Sequence, residues 1–253
     1  MTAQTVLESA NAEPQIVIDT TPLSDFLEEE THWERAAKTR MGRYLTQVET
    51  DFITGCVELT DNNLILDVGA EAGRFSMWAT KKNVHCVSLD IDSHGLRRLK
   101  SKNKDADVIL ADARYIPLKD KILDIVLMVE VADYIPELDT TIADCQRTLK
   151  DKGSIILTFG NKLSLKARIR KLQGKSYLHS YFKTMKILAR SGTILSAKGF
   201  NWLPFGRTSD SSLIPLLAKV EQLIGLRKFH FGSPWVIVHM QCPNNGREKI
   251  WTL

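Results

Sequence analysis

Between Asp151 and Asp210 the 253-residue chain has no acidic residue, and in its first 34 residues it has neither lysine nor arginine. The acid-free stretch holds twelve cations, from Lys152 to Arg207, whereas the first 34 residues hold eight carboxylates. A net charge of +4 thus hides one basic and one acidic segment. Such asymmetry suggests a basic surface for an anionic partner, or an acidic N-terminal segment folded against the basic part. The four cysteines (Cys56, Cys86, Cys145, Cys242) form no C-x-x-C pair. They argue against a zinc site or a disulfide framework and for buried thiols in a reducing compartment. No apolar run approaches the roughly 20 residues that span a bilayer. Met1–Pro14 has neither a basic start nor an apolar middle, so no secretory signal is read there. A cytoplasmic protein with no metal site is expected.

What the chain does have is alternation. Residues 1–25 carry Pro14 and Pro22 and little periodicity, so an N-terminal extension is expected there. From Phe26 to Val57 apolar residues recur at three- and four-residue steps, which predicts a helix. Short apolar runs then predict strands at Asn63–Val68, Val84–Asp90, Val108–Ala111, Ile122–Val129 and Ser154–Phe159. Helices are expected between them at Arg74–Lys82, Ser93–Asn103 and Leu138–Leu149. Farther on, helices are expected at Leu163–Leu172, Tyr181–Ala189 and Leu213–Ile224, with strands at Ile194–Phe200 and Trp235–Gln241. Strands separated by helices imply parallel pairing, because the crossover must cover a sheet face. The expected architecture is a doubly wound, Rossmann-like α/β fold. Its seven-stranded sheet is mostly parallel, with an antiparallel last strand and helices on both faces. We expect one domain over residues 26–253. It divides into a cofactor-binding core (62–160), a basic, aromatic substrate or lid region (161–210), and a C-terminal helix and strand (211–253).

The most informative stretch is Ile65-Leu66-Asp67-Val68-Gly69-Ala70-Glu71-Ala72-Gly73-Arg74-Phe75-Ser76. A buried strand ends in a glycine-bearing turn that opens into a helix, the arrangement that binds ligands outside the strand ends of open α/β sheets. Gly69 permits a tight turn or a close ligand approach, and Gly73 permits close packing of the helix start. The second strand ends in Asp90, about twenty residues on, where a carboxylate can accept from both hydroxyls of a ribose. The third strand ends in Asp112-Ala113, placed to meet an adenine edge. Together these residues outline a nucleoside site.

The runs LDVGAEAGRFS, SLDID, LADARYIPLKD, LDIVLMVEVADYIP and LKDKGSIILTF resemble the class I S-adenosylmethionine-dependent methyltransferases. The resemblance is to the methyltransferase type 11 branch that includes ubiquinone and menaquinone methyltransferases, and it covers roughly Asn63 to Phe159. The usual turn is D-x-G-x-G-x-G; here Glu71 stands at the middle glycine position, and Tyr134 stands where many members have histidine. The resemblance implies S-adenosyl-L-methionine as cofactor and S-adenosyl-L-homocysteine as product. It implies that Asp67 steers the turn toward the methionine ammonium while Gly69, Ala70, Glu71 and Gly73 wrap the methionine part. Asp90 would bind the ribose and Ile91 pack on the adenine. Asp112 would accept from the adenine amino group and the Ala113 amide would donate to the ring. Glu130 and Val131 would lie beside the transferring methyl, and Arg43 and Tyr44 would close over the carboxylate.

Methyl transfer from a sulfonium needs positioning first, and a base only for an oxygen nucleophile of high pKa. Candidates are Asp133, Tyr134 and His179. The expected acceptor is a small molecule or lipid-like compound, methylated on O, N or C. Nucleic acid is disfavoured because no RNA-binding module is recognisable. The basic helix within residues 162–175 suits peripheral contact with a membrane. Two other readings of the residues stay open: a nicotinamide-dependent oxidoreductase, which shares the glycine turn and the second-strand acid, and a non-catalytic binding module of the same fold.

Overall fold

The computed structural model describes residues 29–171 and 177–244. Its strands are β1 (Leu64–Val68), β2 (His85–Asp90), β3 (Asp107–Leu110), β4 (Leu123–Met128), β5 (Leu149–Gly160), β6 (Thr193–Phe200) and β7 (Trp235–Gln241). They form one sheet in the order β3-β2-β1-β4-β5-β7-β6. The first five pair in parallel. β7 inserts between β5 and β6 and runs antiparallel to both. The seven-stranded, mostly parallel sheet with an antiparallel last strand is therefore the architecture of this chain.

Among the described residues the helices are α1 (His32–Lys38), α2 (Arg40–Cys56), α3 (Arg74–Thr80), α4 (Ser93–Lys102), α5 (Leu138–Thr148), α6 (Leu165–Lys171), α7 (Tyr181–Ser191) and α8 (Ile214–Leu223). The central strands are apolar on both faces because successive side chains feed opposite layers. Leu66, Val126 and Leu157 pack in one layer with Ile142 of α5 and Leu188 of α7. Their neighbours Ile65, Leu127 and Ile156 pack in the other with Leu45 and Phe52 of α2.

The helix expected from Phe26 to Val57 is two helices. Thr39 adopts an extended backbone (φ −70°, ψ 162°), which ends α1, and its hydroxyl accepts from the Gly42 N–H (3.0 Å) to cap α2. Apolar spacing continues through both helices and conceals the break. The chain also reaches strand geometry at Leu149, five residues earlier than the expected Ser154, with a register irregularity between Leu123 and Ile125. Residues 1–28, which include the expected extension and Phe26, lie outside the described residues, as do Leu172 and Lys175.

Candidate functional site

A crevice of about 730 Å³ opens at the carboxyl ends of β1 to β4. Strand order reverses there: β1 has β2 on one side and β4 on the other, the position where open sheets of this kind hold ligands. Its floor is the turn after β1. Gly69 (φ +73°) and Ala70 both donate to Leu89 O, at 2.8 and 3.1 Å, which pins the turn to the end of β2. The space a Cβ would need at Gly69 is filled by Val131, and at Gly73 by Leu99. The close approaches that these glycines permit are thus to other parts of the chain, and Gly73 does not line the crevice.

Glu71, where the family usually has glycine, sits at φ +48°. Its carboxylate bends back to accept from the Ala72 N–H (2.6 Å). Gly95 of α4 makes room for it: a Cβ at position 95 would stand 2.9 Å from Glu71 Cα.

Asp90 anchors the same turn. Its Oδ2 accepts from the Glu71 N–H (2.7 Å) and its Oδ1 from the Asp92 N–H (2.9 Å). Each carboxylate oxygen has two lone-pair sites, so both retain capacity for a further donor. Burial lifts the Asp90 pKa above the usual carboxylate range, although these amides oppose it. Ile91, next in sequence, lines the crevice and is 72% exposed, an unusual state for an isoleucine. Asp112 is gripped by Arg114, whose backbone N–H, Nε and Nη2 all donate to it. That pairing holds the Asp112 carboxyl below its ordinary pKa. Asp67 is buried, and its Oδ2 accepts from both the N–H and the hydroxyl of Ser76 (3.0 and 2.7 Å), which ties β1 to α3. Burial pushes the Asp67 pKa up to about 6, against the opposing Ser76 hydrogen bond.

At the other end of the crevice is a partly buried charge cluster. Arg74 bonds Glu49 (2.8 Å) and Glu130 (2.7 Å), and Arg207 also bonds Glu130. Glu130 itself has φ +62°, and its N–H donates to Thr158 Oγ1. Burial pushes the Arg207 pKa down to about 10, with Arg74 acting in the same direction, so the guanidinium stays charged at neutral pH. Arg207 Nε and Glu49 Oε1 are buried without a hydrogen-bond partner among the described residues. Such orphaned atoms carry a desolvation cost that a polar ligand would relieve.

Helix α1 covers the crevice. Its Thr31–Glu34 capping box fixes the helix start. Glu34 also accepts from Arg98 Nε (3.0 Å) and Lys102 Nζ (2.8 Å) of α4. Burial alone would raise the Glu34 pKa, but these hydrogen bonds outweigh it and hold the carboxyl low. At the other end of α1, the Thr39 hydroxyl donates to Arg207 O (2.8 Å), and the Arg207 guanidinium lies 5.8 Å from the Trp33 ring centre.

Of the residues expected from the sequence, Asp67, Gly69, Ala70, Glu71, Asp90 and Ile91 line this crevice. So do Asp112, Ala113, Glu130, Val131 and Tyr134. Arg43 and Tyr44 do not: Arg43 is exposed and bonds Lys38 O, and the Tyr44 hydroxyl bonds Glu221 of α8. Both lie on α2, beyond the break at Thr39, whereas the crevice is lined from α1. Asp133 and His179 are also spent elsewhere. Asp133 Oδ1 accepts from the Gly160 N–H (2.6 Å), and His179 Nε2 bonds Ala132 O (2.8 Å). Sequence reasoning missed Trp33, Glu49, Arg74 and Arg207. Arg74 was readable as the residue that follows the glycine turn, whereas no local signal marks the others. Among the described residues no cluster of His, Cys, Asp and Glu suits a metal, and no helix is long and apolar enough to cross a membrane.

The fold is that of the class I, Rossmann-like methyltransferases. Comparison with known proteins agrees in both sequence and shape. Residues 66–157 match the family described as "Methyltransferase domain". A malonyl-[acyl-carrier protein] O-methyltransferase of Methylococcus capsulatus is 29% identical over 171 residues, covering 64% of this chain and 61% of that protein. The protein of the same name from Geobacter sulfurreducens is 28% identical over 51% of this chain and 54% of its own length. The matches thus span little more than half the length of these curated relatives. Among solved structures, a SAM-dependent methyltransferase from Archaeoglobus fulgidus superposes with a TM-score of 0.58 at 17% identity, covering 84% of this chain and all of that one. The [4+2]-cyclase SpnF superposes with a TM-score of 0.60 at 14% identity, covering 86% of each chain. This chain therefore has the fold of the class I methyltransferases, and its residues 66–157 match a methyltransferase domain, of which S-adenosylmethionine is the expected cofactor.

Proposed function

We propose that the protein transfers the methyl group of S-adenosylmethionine to an O, N or C atom of a small-molecule or lipid-like acceptor. The observation that carries this reading is the crevice itself. One end presents the half-buried Asp90 carboxylate beside an exposed isoleucine; the other presents the charged side chains of Arg74, Glu130 and Arg207. A nucleoside joined to an amino-acid zwitterion has that order of parts, and about 730 Å³ is within the range of small-molecule sites.

Asp90 accepts from the ribose hydroxyls, and Ile91 packs on the adenine. Ala113 offers its amide to the adenine edge, and Asp112 accepts there once it shares its Arg114 bonds. Glu130 takes the methionine ammonium, and Arg207, with Arg74, takes the carboxylate as a charge-assisted pair. Asp67 braces the turn through Ser76. When bound, the cofactor supplies a methyl group already activated by its sulfonium. The chain's task is to hold the acceptor atom in line with it, which accounts for roughly 7–11 kcal/mol of barrier in well-oriented reactions. Tyr134, half-exposed at the mouth, is the side chain best placed to meet the acceptor. His179 and Asp133 hold the loop that carries Tyr134 and act as positioning residues. Residues 161–210 belong with the crevice to a single domain in this reading, because Arg207 arrives from there.

The relatives named as malonyl-[acyl-carrier protein] methyltransferases support an acyl or lipid-like acceptor. Calorimetric titration tests the core of the proposal. S-adenosylmethionine and S-adenosylhomocysteine are expected to bind and NAD is not. A preference for NAD would overturn the reading in favour of an oxidoreductase; silence toward all three would favour a binding module without this cofactor.

A further inference from the structure

We propose that the carboxyl end of β5, with α6, the start of α7 and the turn before β7, is a docking surface for an anionic membrane. From there it would pass a lipid-like acceptor to the crevice. The second statement rests on the proposed methyl transfer; the first does not.

On α6, Leu165, Arg168 and Ile169 stand at i, i+3 and i+4, so they share one face. All three are exposed, Leu165 by 71%. The other face is fixed to the body: Ala167 is buried, and Lys166 Nζ donates to the backbone oxygen (2.9 Å) and side-chain oxygen (2.7 Å) of Asn201. Lys162 and Leu163, just before α6, are exposed too. On α7, Phe182 is 63% exposed, and its ring lies 5.4 Å from that of Phe231, itself half-exposed. Asn161 joins the two groups. Its Nδ2 donates to Phe231 O (2.7 Å), and its Oδ1 accepts from the Leu163 N–H (3.1 Å).

Charge decides the occupant. Exposed beside these apolar side chains are Lys162, Arg168, Lys183 and Lys186, and no carboxylate occurs from residue 152 to residue 209. An apolar face flanked by these exposed cations matches the interface of an anionic bilayer, where the apolar groups enter the acyl boundary and the cations meet headgroups. Single-stranded nucleic acid would instead stack its bases on aromatic platforms. The face of α6 is aliphatic, and the exposed Phe182 and Phe231 rings pack against each other, so the bilayer is the proposed occupant and RNA is an outcome of the test. The surface borders the crevice. Tyr177, half-exposed, donates its N–H to Asp133 O (2.6 Å), one residue before the crevice residue Tyr134.

The test is co-sedimentation of the full chain with phosphatidylcholine vesicles and with vesicles of phosphatidylcholine and phosphatidylglycerol. The wild type is expected to sediment with the anionic vesicles only, and less so as salt is raised. The exposed double variant Leu165→Glu/Ile169→Glu is expected to lose at least tenfold in vesicle affinity, and Arg168→Glu several-fold. Both should keep wild-type affinity for S-adenosylhomocysteine, which shows that the fold and crevice are intact. Equal or absent binding to the two vesicle types would overturn the proposal, as would undiminished binding by the double variant. So would a preference for single-stranded RNA over vesicles, or a dimer that Leu165→Glu dissociates. Vesicle binding without any cofactor binding would leave the surface standing and remove the methyl-transfer reading.

Discussion

At the scale of single residues, Asp90 has two duties. It already accepts two backbone N–H groups that shape the turn, and in the proposed function it also accepts from a sugar diol. Asp90→Ala is therefore expected to weaken S-adenosylhomocysteine binding at least tenfold, about 1.4 kcal/mol, by calorimetry. Unchanged affinity would remove Asp90 from the site. Asp67 makes a different prediction. A carboxyl whose pKa rises on folding, from 3.8 to about 6, favours the folded state in its protonated form. Its contribution is complete below the unfolded pKa and is lost as pH climbs past about 6. Relative to Asp67→Asn, which keeps an acceptor for Ser76, the wild type should lose up to about 3 kcal/mol of stability between pH 4 and pH 7. Parallel pH–stability curves for the two proteins would refute this.

At the scale of elements, the compensation between Glu71 and Gly95 explains how the turn tolerates a side chain where the family usually has none. Gly95→Ala pushes a methyl against the Glu71 backbone and should cost about 1–3 kcal/mol in denaturant unfolding, as overpacking does, together with weaker cofactor binding. Helix α1 is held over the crevice by Glu34 at one end and Thr39 at the other. Glu34→Ala should speed tryptic cleavage after Arg35 and Lys38, both exposed, and S-adenosylhomocysteine should slow that cleavage in the wild type. Cleavage at equal rates with and without ligand would show that α1 is not part of the site.

These elements also show what was legible in the sequence. The strands are legible because strands buried on both faces are continuous apolar runs, and this holds for the antiparallel Trp235–Gln241 too, whose bounds are those expected. Asp90 and Asp112 were readable because a strand end fixes where its next residue stands. The Glu71–Gly95 fit was not, because it joins residues on separate elements and neither signals the other. Arg207 and Trp33 were hidden for the same reason. Tyr44 was misplaced because helical spacing runs unbroken through Thr39, which carries the break in its backbone angles alone.

At the scale of the whole molecule, everything depends on one sheet whose strands come from both ends of the described chain. Removing the residues from α8 onward would delete β7, a strand buried almost throughout and placed between β5 and β6. A chain ending at residue 210 is expected to show no cooperative melting transition, whereas separate folding units would leave one intact.

That placement of β7 also sets a timetable for synthesis. A ribosome finishes the apolar run Ile155–Phe159 well before it reaches Trp235, and through that interval the strand has one open edge and no partner for it. Unpaired apolar edges are where nascent chains aggregate, so production of this protein should respond to chaperone supply more strongly than its finished core suggests.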